Sequence, residues 1–267
     1  VIAVSSSGTV FGGGTYDGRT NVDPTPGRDI NRIMRAYATA AFHESPRRIL
    51  MIGLGSGSWL QVLANHPDVG RIVTIEINPG YVEIMRHYGE ISSVIDNPKS
   101  KIVFDDGRRY LQHSDEKFDL IVQNTIVFWR GHSTNVLSRE YLELSKQHLA
   151  PGGIIYYNST TSAASQRTGA EVFPYAMRFQ NMIIGSETPI EINYERWRDK
   201  MLEWTIDGVP VVAPENALLL PGLIRKSRWR GIPAWETRDQ ILARTAKNLV
   251  ITDDNMASEW RDKTHYP

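Results

Sequence analysis

Three features that the sequence lacks exclude several classes of protein. Its 267 residues include no cysteine, which excludes a disulfide scaffold, a thiolate zinc site and a cysteine nucleophile. The 30 Lys and Arg residues are balanced by 30 Asp and Glu residues, so no overall charge attracts the chain to nucleic acid or anionic lipid. One of the longest apolar stretches, residues 216–224, is interrupted by Pro221 and is far shorter than the roughly 18 residues that span a bilayer. The composition therefore predicts a soluble chain with no nucleic-acid partner.

From residue 47 onwards, strand-like and helix-like segments alternate regularly. Buried-strand patterns cover residues 47–53, 71–77, 101–104, 118–123 and 154–157. Helical patterns cover 58–65 and 79–88, and Ser138 is a suitable N-cap for another helix that stops at 151–153. This alternation predicts right-handed βαβ units and an α/β fold with a doubly wound, Rossmann-like parallel sheet.

The segments on either side of this alternation are less regular. Glycine-separated β-like runs over 2–16 predict a small antiparallel element, so we place an N-terminal β-hairpin element at 1–28 and a catalytic domain at 29–267. The spacing predicts helices over 29–42, 194–204 and 234–246, and a strand over 178–184. The late tryptophans are interpreted as packing groups or an oligomer surface: Trp197, Trp204, Trp229, Trp235 and Trp260.

A glycine-rich loop, IGLGSGSW at residues 52–59, lies between the first predicted parallel strand and its helix. Gly53, Gly55 and Gly57 allow a sharp turn and a close approach of ligand to backbone, and the helix start offers NH groups to an electronegative ligand. The alternative is that these glycines only permit a tight strand-to-helix turn.

Carboxylates follow the next two predicted strands. Glu76 ends the second strand about 20 residues after the loop, where an acid can accept both hydroxyl protons of a ribose. After the following strand, the run Asp105, Asp106 and Gly107 can accept from an adenine amino group, or alternatively caps the turn at 108–112. Together these features predict a nucleoside site at the carboxyl edge of the sheet, for NAD or S-adenosylmethionine.

The segment 47–157 closely resembles the spermidine synthase (polyamine aminopropyltransferase) family. The matching stretches are ILMIGLGSGSW, VTIEINPGYVEI, IVFDDGRRYL, EKFDLIVQN and LAPGGI, with VFGGGTYDG upstream and FPYAMRFQNMIIGS downstream. The resemblance implies a fold of the S-adenosylmethionine-dependent transferase type. It also implies that Glu76 binds the ribose, that Asp106 binds the adenine, and that the glycine loop with Ser56 lines the tail of the nucleoside.

Several residues depart from the family pattern. Ser56 stands where the family usually has an Asp that holds the amine of decarboxylated S-adenosylmethionine, which favours a substrate that keeps its carboxylate. Residues 124–128 (NTIVF) replace the family's Asp-Ser-Ser-Asp-Pro, and Asn124 cannot act as a general base at neutral pH. Residues 31–33 (NRI) replace its Tyr-His-Glu. These changes make putrescine a doubtful substrate.

The remaining catalytic candidates are Asp17, Asn124 and His132, with Asn124 also in the nucleoside set. Other residues expected near the reaction centre are Tyr16, Asp29, Trp129 and Arg130. His132 is either a base or a solvated loop histidine, and Arg130 either holds a carboxylate or lies on the surface. No metal ligand set is expected.

We expect an enzyme that binds S-adenosylmethionine or its decarboxylated form and attacks a carbon next to the sulfur. Three reactions stay open: transfer of the three-carbon chain with methylthioadenosine as product, methyl transfer, and an internal lyase or cyclisation reaction. A non-catalytic nucleoside-binding domain is the alternative of another class, and a nicotinamide dehydrogenase fits the glycine spacing less well.

The ends of the chain suggest a longer parent protein. Val1 is not an initiator methionine, and ITDDN at 251–255 resembles a segment of spermidine-synthase-like domains fused to membrane-spanning regions, although its two acids could equally cap a helix. We therefore expect a cytoplasmic protein or the cytoplasmic domain of a membrane protein. The resemblance also implies a homo-oligomer acting on a small-molecule substrate.

Overall fold

A computed structural model describes residues 1–124, 133–225, 228–229 and 232–255 of the chain. The strands are β1 (Ile2–Val4), β2 (Thr9–Gly12), β3 (Thr15–Arg19), β4 (Arg48–Ile52), β5 (Arg71–Glu76), β6 (Ser100–Phe104), β7 (Phe118–Gln123), β8 (Leu149–Asn158), β9 (Tyr175–Phe179), β10 (Met182–Ser186), β11 (Thr205–Ile206), β12 (Val209–Pro210), β13 (Arg228–Trp229), β14 (Ile232–Pro233) and β15 (Trp235–Thr237). The helices are α1 (Met34–Tyr37), α2 (Thr39–Phe42), α3 (Ser58–Ala64), α4 (Gly80–Met85), α5 (Gly89–Ser92), α6 (Gly107–Gln112), α7 (Arg139–Gln147), α8 (Ala163–Val172), α9 (Tyr194–Glu203), α10 (Pro214–Arg225) and α11 (Arg238–Arg244). Short 3-10 helices lie at Ser93–Ile95, Ser133–Val136 and Asp253–Asn255.

The chain forms two compact units, of which the first comprises residues 1–106 and 191–226. Its parallel strands follow the order β4, β5, β6, and its antiparallel strands follow the order β1, β2, β3. In the parallel strands Ile52 pairs with Ile75, and Glu76 pairs with Phe104. Because parallel strands share a direction, the segments that follow β4, β5 and β6 all leave the same edge.

The core of the first unit is formed by apolar strands and an almost fully buried helix. β4 has the sequence RILMI and exposes only its first residue, as expected for a parallel strand covered on both faces. Every residue of α3 is buried. Trp204, at the end of α9, is fully buried and donates its indole NH to the carbonyl of Val62 at 3.2 Å, which fixes α9 against α3.

The second unit comprises residues 107–190 and 227–267. Its strand order is β7, β8, β10, β9, β15, in which β7 and β8 are parallel and the later pairs are antiparallel. The N-cap predicted at Ser138 is confirmed, since its hydroxyl accepts from the NH of Tyr141 at 3.3 Å. α7 ends at Gln147, and β8 already covers the residues around Pro151.

The α/β class with parallel strands alternating with helices is confirmed. The N-terminal β element is present as the three strands β1 to β3, and the helix predicted over 194–204 is present as α9. The division at residue 28 stays a prediction.

Three predicted elements were wrong in detail. Residues 29–42 do not form one helix, because Arg32 has a positive φ of 57° and α1 begins only at Met34. Residues 178–184 do not form one strand, because Gln180 turns the chain with a φ of 54° and joins β9 and β10 as a hairpin. Residues 234–246 begin as strand β15, and α11 starts only after the capping box of Thr237 with Gln240.

The packing role predicted for the late tryptophans is confirmed where their side chains are described. Trp197 and Trp204 are fully buried. Trp235 stacks on Phe179 with ring centroids 4.3 Å apart. The side chain of Trp229 and all of Trp260 lie outside the described part of the chain.

Candidate functional site

The glycine loop follows the carboxyl end of β4, and its glycines have left-handed backbone conformations. Gly53, Gly55 and Gly57 have φ values of 85°, 53° and 82°, which L side chains rarely adopt. Space is restricted as well, since a Cβ on Gly55 would lie 2.9 Å from the carbonyl oxygen of Asp17. The loop is therefore built from glycine for both conformational and steric reasons.

Glu76, at the end of β5, is fixed against this loop by backbone NH groups. Its Oε2 accepts from the NH of Leu54 at 2.7 Å, and its Oε1 accepts from the NH of Asn78 at 2.8 Å. Burial raises the pKa of Glu76, and the backbone NH groups of Leu54, Asn78 and Ile77 oppose that rise. A carboxylate has roughly four acceptor positions, so these bonds orient Glu76 without exhausting what it can accept.

The carboxylates after β6 lie beside Glu76. The NH of Asp105 donates to the main-chain carbonyl of Glu76 at 3.2 Å, and the NH of Asp106 donates to Oδ1 of Asp105 at 2.8 Å. Both aspartates are half-buried. The first unit thus brings together the glycine loop, Glu76 and the two aspartates, while Gly107 begins α6 in the second unit.

The N-terminal β element is tied to the glycine loop through Asp17. The carbonyl of Asp17 accepts from the NH of Ser56 at 3.1 Å, and its carboxylate accepts from the hydroxyl of Tyr81. A Cβ on Gly18 would lie 2.8 Å from Oγ of Ser56, which itself shares a 2.9 Å hydrogen bond with Oγ of Ser58. Asp17 is only 5% exposed, so its described contacts anchor the β element on the loop.

Tyr81 is not among the predicted site residues, and its partner Asp17 is 64 residues away. Tyr81 follows the strand that carries Glu76, in the segment EINPGY, and is buried although its ring carries a hydroxyl. A buried tyrosine usually finds a polar partner, and this is the only local signal that the sequence offers.

Asn124 lies in the second unit, directly after β7. Its Oδ1 accepts from Nδ2 of Asn158 at 3.1 Å, and Oδ1 of Asn158 accepts in turn from Nδ2 of Asn181 at 2.7 Å and from the NH of Thr160 at 2.7 Å. Asn158 and Asn181 were not predicted as partners. His132, like Trp129 and Arg130, lies outside the described residues.

The ITDDN segment makes hydrogen bonds to two other parts of the second unit through Asp253. Asp253 accepts from both terminal nitrogens of Arg108, one at 2.8 Å, and from the hydroxyl of Ser138 at 2.6 Å. Its own NH donates to Glu140 at 3.0 Å. The hydrogen bond from Arg108 is the main reason why the pKa of Asp253 lies below its usual value, with Ser138 and the Arg108 charge adding to it against a smaller effect of burial. The segment therefore joins the start of α6 to the N-cap of α7.

Asp253→Asn is expected to lower the free energy of unfolding by about 1 kcal/mol. A charge-assisted hydrogen bond normally contributes more than this to the free energy of unfolding. The Asp253 side chain is 37% exposed, however, and solvent weakens the interaction. Urea denaturation measures the change, and Asp254→Asn is the matched control because Asp254 is exposed in the same segment. Equal losses in the two variants would contradict the assigned role of Asp253.

Within residues 1–124, 133–225, 228–229 and 232–255, no group of three or more His, Asp or Glu side chains could hold a metal ion. Over the same ranges, no helix combines the length and apolar character needed to cross a membrane.

Residues 33–183, more than half of the chain, match the family model of the spermine/spermidine synthase domain. Among curated relatives, a polyamine aminopropyltransferase of Thermococcus onnurineus is 27% identical over 156 residues, which are 55% of this chain and 55% of the relative. A spermidine synthase of Dictyostelium discoideum is 33% identical over 114 residues, which are 42% of this chain and 40% of the relative. The chain thus spans about half the length of the curated relatives it matches.

Solved structures confirm the Rossmann-like fold. A probable spermidine synthase from Corynebacterium glutamicum superimposes with a TM-score of 0.61 at 16% identity, covering 94% of this chain and 92% of that one. The spermidine synthase from Thermotoga maritima gives a TM-score of 0.51 at 17% identity, covering 85% and 72%. The curated relatives are named as polyamine aminopropyltransferases, which belong to the transferase class that the sequence predicted. By its matched domain, the chain belongs to the spermine/spermidine synthase family.

Proposed function

We propose that the chain binds S-adenosylmethionine or its decarboxylated form and transfers or releases the three-carbon chain, with methylthioadenosine as product. The observation that carries this proposal is the Glu76 carboxylate, which backbone NH groups orient beside a left-handed glycine loop. An acid in that position can accept from the ribose hydroxyls, and Asp106, beside Asp105, can accept from the adenine amino group. The names of the aminopropyltransferase relatives support the same reaction.

The proposed transfer depends more on aligning the acceptor nitrogen with the reacting carbon than on activating the leaving group. The sulfonium is a good leaving group, so the carbon–sulfur bond breaks with its electron pair on sulfur, and neutral methylthioadenosine departs as the acceptor nitrogen bonds to the carbon. The acceptor nitrogen must also lose a proton. Asp17 and His132 remain our proposed proton acceptors, and Asn124 is proposed to orient the acceptor through its side-chain amide.

The uncharged Asn124 favours a second candidate reaction. Because Asn124 cannot remove a proton from an ammonium acceptor at neutral pH, it weakens the case for a polyamine acceptor, and an internal lyase or cyclisation reaction needs no acceptor at all. We retain as further proposals methyl transfer, a non-catalytic nucleoside-binding domain, a homo-oligomer and a cytoplasmic location.

The test is to incubate the protein with S-adenosylmethionine and separately with its decarboxylated form, first alone and then with a polyamine panel, and to identify the nucleoside product by mass spectrometry. We expect methylthioadenosine, and its dependence on acceptor separates transfer from lyase activity. S-adenosylhomocysteine would mean methyl transfer, and binding without product would point to a non-catalytic domain.

Glu76→Gln is expected to weaken binding of methylthioadenosine roughly ten- to hundredfold, because hydrogen bonds to a charged group contribute about 1.5–3 kcal/mol. Isothermal titration calorimetry measures the dissociation constant. Glu83→Gln is the matched control, since Glu83 is exposed on the nearby helix α4. Unchanged affinity in Glu76→Gln would show that the ribose lies elsewhere.

A further inference from the structure

Three asparagines come together at the carboxyl ends of β7 and β8 in the second unit. The two strands are parallel, and their register pairs Gln123 with Tyr157. The next residues, Asn124 and Asn158, therefore lie side by side at this edge. β10 runs antiparallel to β8 and its first residue pairs with Asn158, so Asn181, which precedes β10, reaches the same edge. Backbone pairing thus assembles three amide side chains.

The direction of these amides is fixed by a main-chain NH. The NH of Thr160 donates to Asn158 at 2.7 Å, and because a main-chain NH can only donate, the atom it meets is Oδ1. Nδ2 of Asn181 donates to the same oxygen at 2.7 Å. The other end of the Asn158 amide, Nδ2, also can only donate. The Asn124 atom that it contacts at 3.1 Å is therefore Oδ1.

Asn158 is held firmly in this direction. It is 9% exposed, and Asn181 is 7% exposed, so water has little access to their hydrogen bonds. The carbonyl of Asn181 accepts from both the NH and the hydroxyl of Ser159, at 2.8 and 2.7 Å, which fixes its main chain as well. Reversing the Asn158 amide would place its NH2 group against two other donors, the NH of Thr160 and Nδ2 of Asn181. The buried residues therefore determine how the Asn124 amide is turned.

The amide of Asn124 consequently has one engaged end and one end that faces away from Asn158. Asn124 is half-buried, so part of its side chain is accessible. Its Oδ1 is bound by Asn158, and the polar atom on the opposite side is Nδ2, which can donate but not accept. An aspartate at this position would offer only acceptors, which suit an ammonium group. Asn124 held in this way offers a donor, which suits a carboxylate or another oxygen.

We propose that Asn158 is a positioning residue that turns Nδ2 of Asn124 toward the acceptor substrate, and that this acceptor is an amine carrying a carboxylate or similar oxygen group rather than a diamine. The inference rests on the proposed function, in which Asn124 orients the acceptor. It predicts that Asn158→Asp reverses the preference. The new carboxylate would still accept from Thr160 and Asn181, but it would also require a donor from Asn124, whose amide would turn and present Oδ1 to the acceptor.

The experiment is isothermal titration calorimetry of the whole chain, saturated with methylthioadenosine, with putrescine and with 4-aminobutanoate. Both compounds have four carbons and an amine, but one ends in a second amine and the other in a carboxylate. We expect the unaltered protein to bind 4-aminobutanoate roughly tenfold or more tighter than putrescine. Asn158→Asp should shift this ratio at least tenfold toward putrescine and leave the affinity for methylthioadenosine unchanged. Asn248→Asp is the matched control, because it adds the same charge to an exposed position of the same unit.

Two further variants separate the turned amide from the added charge. Combining Asn158→Asp with Asn124→Ala should abolish the shift, because the amide that turns is no longer there. If the shift persisted in this double variant, the charge alone would attract the ammonium, and the inference would be overturned. Asn124→Asp changes the accessible residue itself and keeps the hydrogen bond from Asn158, so it should also shift the ratio toward putrescine and does not depend on a buried variant folding.

The remaining outcomes distinguish this inference from the proposed function. Equal or tighter binding of putrescine by the unaltered protein would overturn the inference. Binding of methylthioadenosine but of neither four-carbon compound would also overturn it, since Asn124 would then not select the acceptor by its end group, and the nucleoside site would still stand. If the unaltered protein did not bind methylthioadenosine, the proposed function itself would fail.

Discussion

Glu236→Ala is expected to lower the free energy of unfolding by about 3–5 kcal/mol, because it would leave a buried charge without its partner. The side chain of Arg178 is fully buried, and its Nε donates to Oε2 of Glu236 at 2.6 Å. Arg244 donates to both oxygens of the same carboxylate, at 2.8 and 2.7 Å. The pairing of β9 with β15 places Arg178 directly opposite Glu236, so the strand register itself fixes this contact.

Urea denaturation measures the fall in the free energy of unfolding, and two further variants test its cause. Glu171→Ala removes an i,i+4 ion pair with Arg167 whose side chains are 33% and 21% exposed, and should cost about 0.5 kcal/mol or less. Arg178→Met combined with Glu236→Leu removes both buried charges and should cost less than Glu236→Ala alone. A loss below about 1 kcal/mol in Glu236→Ala would contradict the account, since it would put the pair in the range of surface ion pairs.

The same ion pair predicts a dependence of stability on pH. Burial raises the pKa of Glu236, but the hydrogen bonds and charges of Arg244 and Arg178 together outweigh burial and hold the pKa below its usual value. A carboxyl group whose pKa is lower in the folded state stabilises the fold fully above its unfolded pKa, about 4.3, and loses that effect as the pH falls through the folded pKa. The stability difference between the unaltered protein and Glu236→Gln should therefore shrink below about pH 4. A difference that stayed constant down to pH 3 would contradict this.

The parts of the candidate site that the sequence could predict are those encoded by local patterns. The glycine loop, Glu76 and Asp105 each follow a short apolar run, and parallel strands bring the ends of such runs to one edge without further information. The fold class follows from the same alternation of strands and helices.

The parts that the sequence could not predict depend on contacts between distant residues. No local sequence pattern predicts that Asp17 contacts Tyr81, or that Arg108 contacts Asp253, which is 145 positions away. In the run RFQNMII, polar and apolar residues do not alternate regularly, and the run was predicted as one strand. The chain instead turns at Gln180 and forms a hairpin. A turn of this kind depends on one left-handed residue, and hydrophobic periodicity carries no signal for it.

Gly57→Val is expected to reduce both stability and nucleoside binding. Gly57 has a φ of 82°, where a non-glycine residue costs about 1–3 kcal/mol. A Cβ there would also lie 2.6 Å from the sulfur of Met85, and overpacking of a buried site adds about 1–3 kcal/mol. We expect the free energy of unfolding to fall by the sum of these costs. The affinity for methylthioadenosine should fall more than tenfold, because the backbone strain and the contact with Met85 both act on the loop that lines the proposed nucleoside site.

Gly14→Val is the matched control for this loop. Gly14 has the same φ of 82°, and a Cβ on it would meet nothing within 4 Å. Its free energy of unfolding should therefore fall only by the cost of the strained φ, about 1–3 kcal/mol. The variant should bind methylthioadenosine as the unaltered protein does. Because the two variants share the backbone strain, the difference between them measures what the contact with Met85 adds. If both lost the same stability and both kept their affinity, Met85 would not constrain the glycine loop, and the loop would tolerate a side chain beside the proposed nucleoside.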